Sequence, residues 1–201
     1  MKINGPPCFV AIGASGGEGL DDIRDLLADL PQVTPAVVMV VLHRPSDKVS
    51  ALRDILASSA NMPVVIATEA EKLEVGVCYI GEPAGHLTLL GGDTAGLVPG
   101  KNHRLRGRTI DTLFDSVARH AEGRAIGVIL SGSLDDGSRG LAAIHAAGGL
   151  TMVLDPGRKP RGMQQNAIDF DGPISFIGTG REIAATIETV LTRDDKWRRK
   201  P

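Results

Sequence analysis

Cys8-Phe9-Val10-Ala11-Ile12-Gly13-Ala14-Ser15-Gly16-Gly17 sets the reading of the whole chain. Cys8 to Ile12 is an unbroken apolar run of strand length, the pattern of a strand covered on both faces. A helix is predicted to open near Gly19-Leu20. The glycines between permit a tight turn that carries Ser15. Two chemistries use such a turn. A serine there can be a nucleophile, with nearby backbone N–H groups receiving an oxyanion. The same N–H groups at a helix N-terminus can instead hold a phosphate. A plain helix cap is the third reading of Ser15.

Outward from this stretch, strand-like and helix-like segments alternate. Strands are predicted at Ala36 to Leu42, Pro63 to Ala67, Ala125 to Leu130, Leu150 to Leu154 and Ser175 to Ile177. Helical spacing of apolar residues marks Asp47 to Ser59, Ile110 to Ala121, Gly140 to Ala147 and Arg181 to Thr192. Val77 to Ile80 and His86 to Leu90, parted by Gly81-Glu82-Pro83-Ala84-Gly85, read as a hairpin that makes the sheet mixed. Gly91 to Thr109 reads as a long functional loop. The expected fold is therefore α/β and doubly wound. It has a mostly parallel sheet with an antiparallel hairpin and helices on both faces. Ligands of such sheets bind beyond the carboxyl ends of the strands.

Composition narrows the function classes. The 201 residues fit one domain with a sizeable core, here placed at 1–192 and followed by a basic tail at 193–201. A net charge of −2 and 3% aromatic residues speak against a nucleic-acid surface. No apolar run reaches the ~18 residues a membrane span requires, so no direct membrane insertion is expected. Cys8 and Cys78 lie in separate apolar runs and read as two buried free thiols, which implies a cytoplasmic protein. No His or Cys pair has metal-ligand spacing; His86, His103, His120 and His145 read as ordinary surface or satisfied histidines.

Three strand ends offer chemically capable side chains. The first gives Ser15, and the second gives His43 in Val41-Leu42-His43-Arg44-Pro45. The strand ending at Leu130 leads into Ser131-Gly132-Ser133-Leu134-Asp135-Asp136-Gly137. A hydroxyl, an imidazole and a carboxylate at one sheet edge are the parts of a serine triad. The rival dinucleotide reading rests on Gly13, Gly17 and Gly19, which resemble the short-chain dehydrogenase turn. That family also needs a Tyr-x-x-x-Lys pair, and the sole tyrosine, Tyr79, has Pro83 four positions on. No Gly-Lys-[Ser/Thr] follows either, so a Walker loop fails.

From about Phe9 to Leu191 the pattern resembles the catalytic domain of the chemotaxis protein-glutamate methylesterases, the CheB family. Ile12-Gly13-Ala14-Ser15 resembles the family's nucleophile turn and His43-Arg44-Pro45 its His-x-Pro segment. Gly76-Val77-Cys78-Tyr79-Ile80 with Gly85-His86-Leu87 resembles its Gly-x-x-Tyr-Ile…His segment. Arg108 to Ala118 resembles the Arg-x-Ser-x-Asp-x-Leu-Phe-x-Ser-[Val/Ala]-Ala helix, and Gly127 to Gly132 with Asp136-Gly137 the acid turn. Gly162-Met163 and Ala167-Ile168 resemble a late Gly-Met-Pro-x-x-Ala-Ile segment, with Gln164 standing where proline is usual. The resemblance implies Ser15 as nucleophile, His43 as general base and Asp136 as orienting acid. It leaves the backbone N–H groups at Gly16 and Ser133 as oxyanion candidates, and Met163 and Leu134 as substrate-pocket candidates. It implies hydrolysis of methyl esters on receptor glutamates, with deamidation of receptor glutamines in some members, and no metal or organic cofactor. The implied partner is the cytoplasmic coiled coil of a methylated chemoreceptor. The family's usual receiver domain does not precede the match, so the expectation is either a free-standing catalytic domain or a piece trimmed from a longer protein. A methylesterase-like binding or regulatory module with weak turnover is the alternative.

Overall fold

The computed structural model describes residues 6–43, 51–82, 85–99, 107–133, 135–157, 162–170 and 172–193. In chain order the elements are β1 (Cys8–Ser15), α1 (Gly16–Asp29), β2 (Ala36–His43), α2 (Leu52–Ala57), β3 (Val64–Ile66), β4 (Cys78–Ile80), β5 (Gly85–Leu90), β6 (Thr94–Pro99), α3 (Thr109–His120), β7 (Ala125–Ile129), α4 (Ser138–Ala146), β8 (Leu150–Leu154), α5 (Met163–Asp169), β9 (Phe176–Gly178) and α6 (Gly180–Arg193). The basic tail beyond residue 193 and residues 47–50 of the expected second helix lie outside the described residues.

Among the described residues seven strands form one parallel sheet in the order β3-β4-β2-β1-β7-β8-β9. β1 lies in the middle, and all eight of its residues are buried. Successive side chains of a strand point to opposite faces, and the two cores follow that alternation. Val10, Ile12, Val38 and Val40 pack under α1, α2 and α6. Phe9, Ala11, Val37 and Met39 pack under α3, α4, α5 and the β5–β6 hairpin. Each helix offers a matching stripe: Ile23, Leu26 and Leu27 on α1, and Ile110, Leu113, Phe114 and Val117 on α3. Burying each such side chain contributes roughly 1.5–3 kcal/mol. The β-rich, glycine-turned sequence thus gives the doubly wound fold with helices on both faces.

The hairpin is not the one expected. β4 joins the parallel sheet, while β5 turns back on β6 to make a separate antiparallel pair, so the main sheet is not mixed. The reversal is made by Gly91-Gly92-Asp93, where Gly92 and Asp93 take φ of 71° and 57°. The hairpin lies on α3, where the Leu89 N–H donates to Ser116 Oγ at 2.9 Å. α1 also starts earlier than its apolar pattern indicates, directly after Ser15.

Candidate active site

The parallel register sets Ser15 beside His43 at the carboxyl ends of β1 and β2. The β1–β7 pairing then continues past the strands. Leu130 N–H donates to Gly13 O at 2.9 Å, and Ser15 N–H donates to Ser131 O at 3.0 Å. The turn that follows β7 is therefore fastened to the residue that precedes α1. Ser15 is extended (φ −143°, ψ 142°) at the N-cap position of α1, and its side chain makes no cap hydrogen bond there. Its hydroxyl is thus not committed to capping. Gly16 follows at φ 74°, a conformation that favours glycine, and this permits the chain to swing from strand to helix within one residue.

Ser131 is held at every polar atom. Its N–H donates to the Asp22 carboxylate of α1 at 3.1 Å, and its Oγ accepts from Gln164 Nε2 of α5 at 3.0 Å. Gly132 is wedged between two neighbours: a Cβ on it would lie 2.8 Å from Ser15 Cβ and would overlap Met163 Sδ. Met163 N–H donates to Gly132 O at 2.8 Å. Met163 itself is fully buried. Its thioether packs behind Gly132 and does not reach solvent. Leu134 lies outside the described residues. Gly16 and Ser133, whose N–H groups are the oxyanion candidates, lie at the two turns that the Ser15–Ser131 bond joins, and both are exposed.

Asp136 is buried, and both carboxylate oxygens accept backbone N–H groups from the first turn of α3. Ile110 N–H donates to Oδ2 at 2.8 Å and Asp111 N–H to Oδ1 at 2.9 Å. A helix N-terminus favours a negative charge at this place. His43 Nδ1 lies 3.8 Å from Asp136 Oδ2, beyond hydrogen-bond length but within ion-pair range. That nitrogen is buried and has no hydrogen-bond partner among the described residues. Asp135 is exposed. The structure thus brings Ser15, His43 and Asp136 to one edge of the sheet.

Four further residues matter here, and sequence reasoning assigns none of them a role. Asp22 and Gln164 brace Ser131. Asp111 accepts from Gly137 N–H at 3.0 Å and Gly140 N–H at 2.8 Å. Burial pushes the Asp111 carboxyl above its ordinary value; Gly140 and Gly137 N–H groups oppose that rise, while the charge of Asp136 adds to it. His86 is the fourth, and its reading as an ordinary surface or satisfied histidine is corrected. With His43, Glu82 and Thr109 it lines a cavity of about 40 Å³, and its Nε2 is buried without a hydrogen-bond partner among the described residues. Burial lowers its pKa, partly offset by Asp136 and reinforced by His43. Its one sequence signal is the Gly85-His86-Leu87 segment. Cys8 and Cys78 are free and buried, and burial pushes both thiols up to about 12, so neither offers a thiolate. Among the described residues no group of three His, Cys, Asp or Glu is fit to hold a metal ion, and no helix is long and apolar enough to cross a membrane.

Comparison with known proteins agrees with this architecture. The fold is similar to the crystal structure of the Thermotoga maritima CheB methylesterase catalytic domain. The TM-score is 0.81 at 25% identity, covering 92% of this chain and all of that one. The chain is 35% identical over 147 residues to protein-glutamate methylesterase/protein-glutamine glutaminase 3 of Pseudomonas syringae pv. tomato. It is 36% identical over 147 residues to protein-glutamate methylesterase/protein-glutamine glutaminase 1 of Cupriavidus pinatubonensis. Each match covers 73% of this chain but only 44% and 43% of those relatives, so the chain spans less than half of their length. Residues 10–187 match the family model for CheB methylesterase, and the chain belongs to that family.

Proposed function

We propose that the chain is a serine esterase that removes methyl groups from glutamate esters of chemoreceptors, with Ser15 as nucleophile, His43 as general base and Asp136 as the acid that orients it. The observation that carries this reading is the placement of the three residues at one sheet edge. Ser15 and His43 are in register across β1 and β2, and His43 Nδ1 is 3.8 Å from Asp136 Oδ2. Hydrogen bonds of this kind are commonly long in the free enzyme and tighten when substrate binds.

The chemistry follows from the parts. His43 Nε2 takes the Ser15 Oγ proton as that oxygen bonds to the ester carbonyl carbon. The tetrahedral oxyanion is received by N–H groups at Gly16 and Ser133, where the loss of one donor costs about 3 kcal/mol of barrier. The intermediate collapses by breaking the bond to the methoxy oxygen, which leaves as methanol with the proton from His43. Water then attacks the acyl carbon, giving one proton to His43; Ser15 Oγ leaves with that proton, and the glutamic acid formed gives its remaining proton to solvent and departs as the carboxylate. The Asp136 carboxylate orients the imidazole and stabilises the imidazolium. A receptor glutamine would enter the same cycle and release ammonia. The substrate follows from the activities for which the relatives are named, protein-glutamate methylesterase and protein-glutamine glutaminase. The partner is accordingly a methylated receptor coiled coil, and the site of action cytoplasmic.

The test is methanol release from a methylated receptor cytoplasmic fragment by the wild type and by Ser15→Ala, with a fluorophosphonate probe in parallel. Release and labelling in the wild type, both lost in the variant, are expected. A wild type that neither releases methanol nor reacts with the probe would return the chain to the class of binding modules.

A further inference from the structure

We propose that Asp111 is the positioning residue for the Asp136 carboxylate, acting through an exchange of helix caps between α3 and α4. The inference rests on the esterase reading of Ser15, His43 and Asp136 above. The first N–H groups of an α-helix have no partner within the helix, and an acceptor must come from elsewhere when that end is buried. Neither helix caps itself by a side chain of its own N-cap residue: α3 begins after Arg108 and α4 after Gly137. Gly137, at φ 103°, has no side chain to offer.

Each helix takes its acceptor from the other. Asp136, just before α4, accepts Ile110 N–H (2.8 Å) and Asp111 N–H (2.9 Å) of α3. Asp111, in the first turn of α3, accepts Gly137 N–H (3.0 Å) and Gly140 N–H (2.8 Å) of α4 through one oxygen. All four bonds are buried. Both oxygens of Asp136 are therefore fixed relative to α3, and the residue that follows Asp136 is fixed by Asp111. A carboxylate offers about four acceptor positions, so Oδ2 keeps one for His43 Nδ1, its neighbour at 3.8 Å. The Asp111 carboxylate is engaged with α4, not with the nucleophile or the base. It acts on the reaction by setting where Asp136 points. Because a single Asp111 oxygen serves both N–H groups, an amide oxygen at the same place can do the same work without a charge.

The experiment compares Asp111→Ala and Asp111→Asn with the wild type by the saturation kinetics of fluorophosphonate labelling and by amide hydrogen exchange. In Asp111→Ala the maximal labelling rate falls at least ten-fold with the half-saturating concentration unchanged. The backbone amides at positions 110 and 111, which bind Asp136 and not the side chain at 111, lose protection at least ten-fold. Asp111→Asn restores both to within about three-fold. A folded Asp111→Ala protein that labels at the wild-type rate overturns the proposal. So does one whose amides at positions 110 and 111 stay as protected as those of the wild type. If Asp111→Ala does not fold, Asp111→Asn decides: labelling as slow as in Asp136→Ala overturns it, and labelling near the wild type supports it. If the wild type itself is not labelled, the esterase reading fails, and the exchange data alone judge the cap exchange.

Discussion

The two sides of the candidate site are built differently. On the β1–β7 side, most of the polar groups around the site have partners among the described residues, Ser138 Oγ being an exception. Ser131 is tied to Ser15, Asp22 and Gln164, Gly132 to Met163, and Asp136 to the first turn of α3. On the β2–β4 side, His43 Nδ1 and His86 Nε2 are buried without partners among the described residues, beside a small cavity. The proposed nucleophile and acid thus lie among fixed partners, while the proposed base lies beside open space. This division suits the reaction. The base must change partners and charge in each half-cycle, whereas the serine and the oxyanion turn need fixed geometry.

Substitutions on the two sides can break or sharpen that contrast. Ser15→Ala on the braced side has the largest expected effect, a loss of kcat on the order of 10⁴-fold or more in methanol release. Survival of a tenth of the rate would remove the nucleophile assignment. Asp136→Asn is expected to lower kcat by roughly 10⁴-fold by presenting the wrong hydrogen-bonding face to His43. A loss below ten-fold would mean that the 3.8 Å pair is not used.

Gln164→Leu tests the bracing itself. It removes the buried donor to Ser131 Oγ, and destabilisation of about 1–3 kcal/mol in urea unfolding is expected, with less than a ten-fold change in kcat. An unchanged unfolding midpoint would show that Ser131 needs no support from α5. On the open side, His86→Gln is expected to change kcat/KM less than ten-fold and to leave its pH profile in place between pH 6 and 8. Burial lowers the pKa of His86 and so disfavours its protonated form; a displaced acid limb would show that it titrates with the reaction.

The smallest effect is on stability. The carboxyl of Asp111 is raised in the folded state. What this group contributes is fully present below its unfolded pKa and is lost as pH rises through the folded one. Asp111→Asn is therefore expected to gain stability relative to the wild type at pH 7 compared with pH 3. An equal difference at both pH values would contradict the direction of the shift.

Much of this is legible in the sequence because it is local. The unbroken apolar run of β1 and the stripes of α1 and α3 report burial directly, and strand ends announce which side chains reach the sheet edge. β6 is not legible: Thr94-Ala95-Gly96-Leu97-Val98-Pro99 contains two poor strand formers, and its pairing with β5 rather than its own composition makes it a strand. α5 does not show because seven residues give too few turns for a period to emerge. The braces are invisible for a different reason. Asp22 meets Ser131 across 109 positions and Gln164 meets it across 33, and no spacing rule connects such residues before the chain is folded. His86 reads as ordinary because a lone histidine carries no sign of whether its nitrogens find partners.

The exchange of caps between α3 and α4 also bears on how this site can be altered. Residues 110–111 and 136–140 are joined by four bonds that span 25 to 29 positions of sequence. They form one heritable unit: a change at Asp111 is felt at Gly137 and Gly140, and a change at Asp136 at Ile110. Anyone transplanting the acid turn into another scaffold must carry the opening turn of α3 along with it.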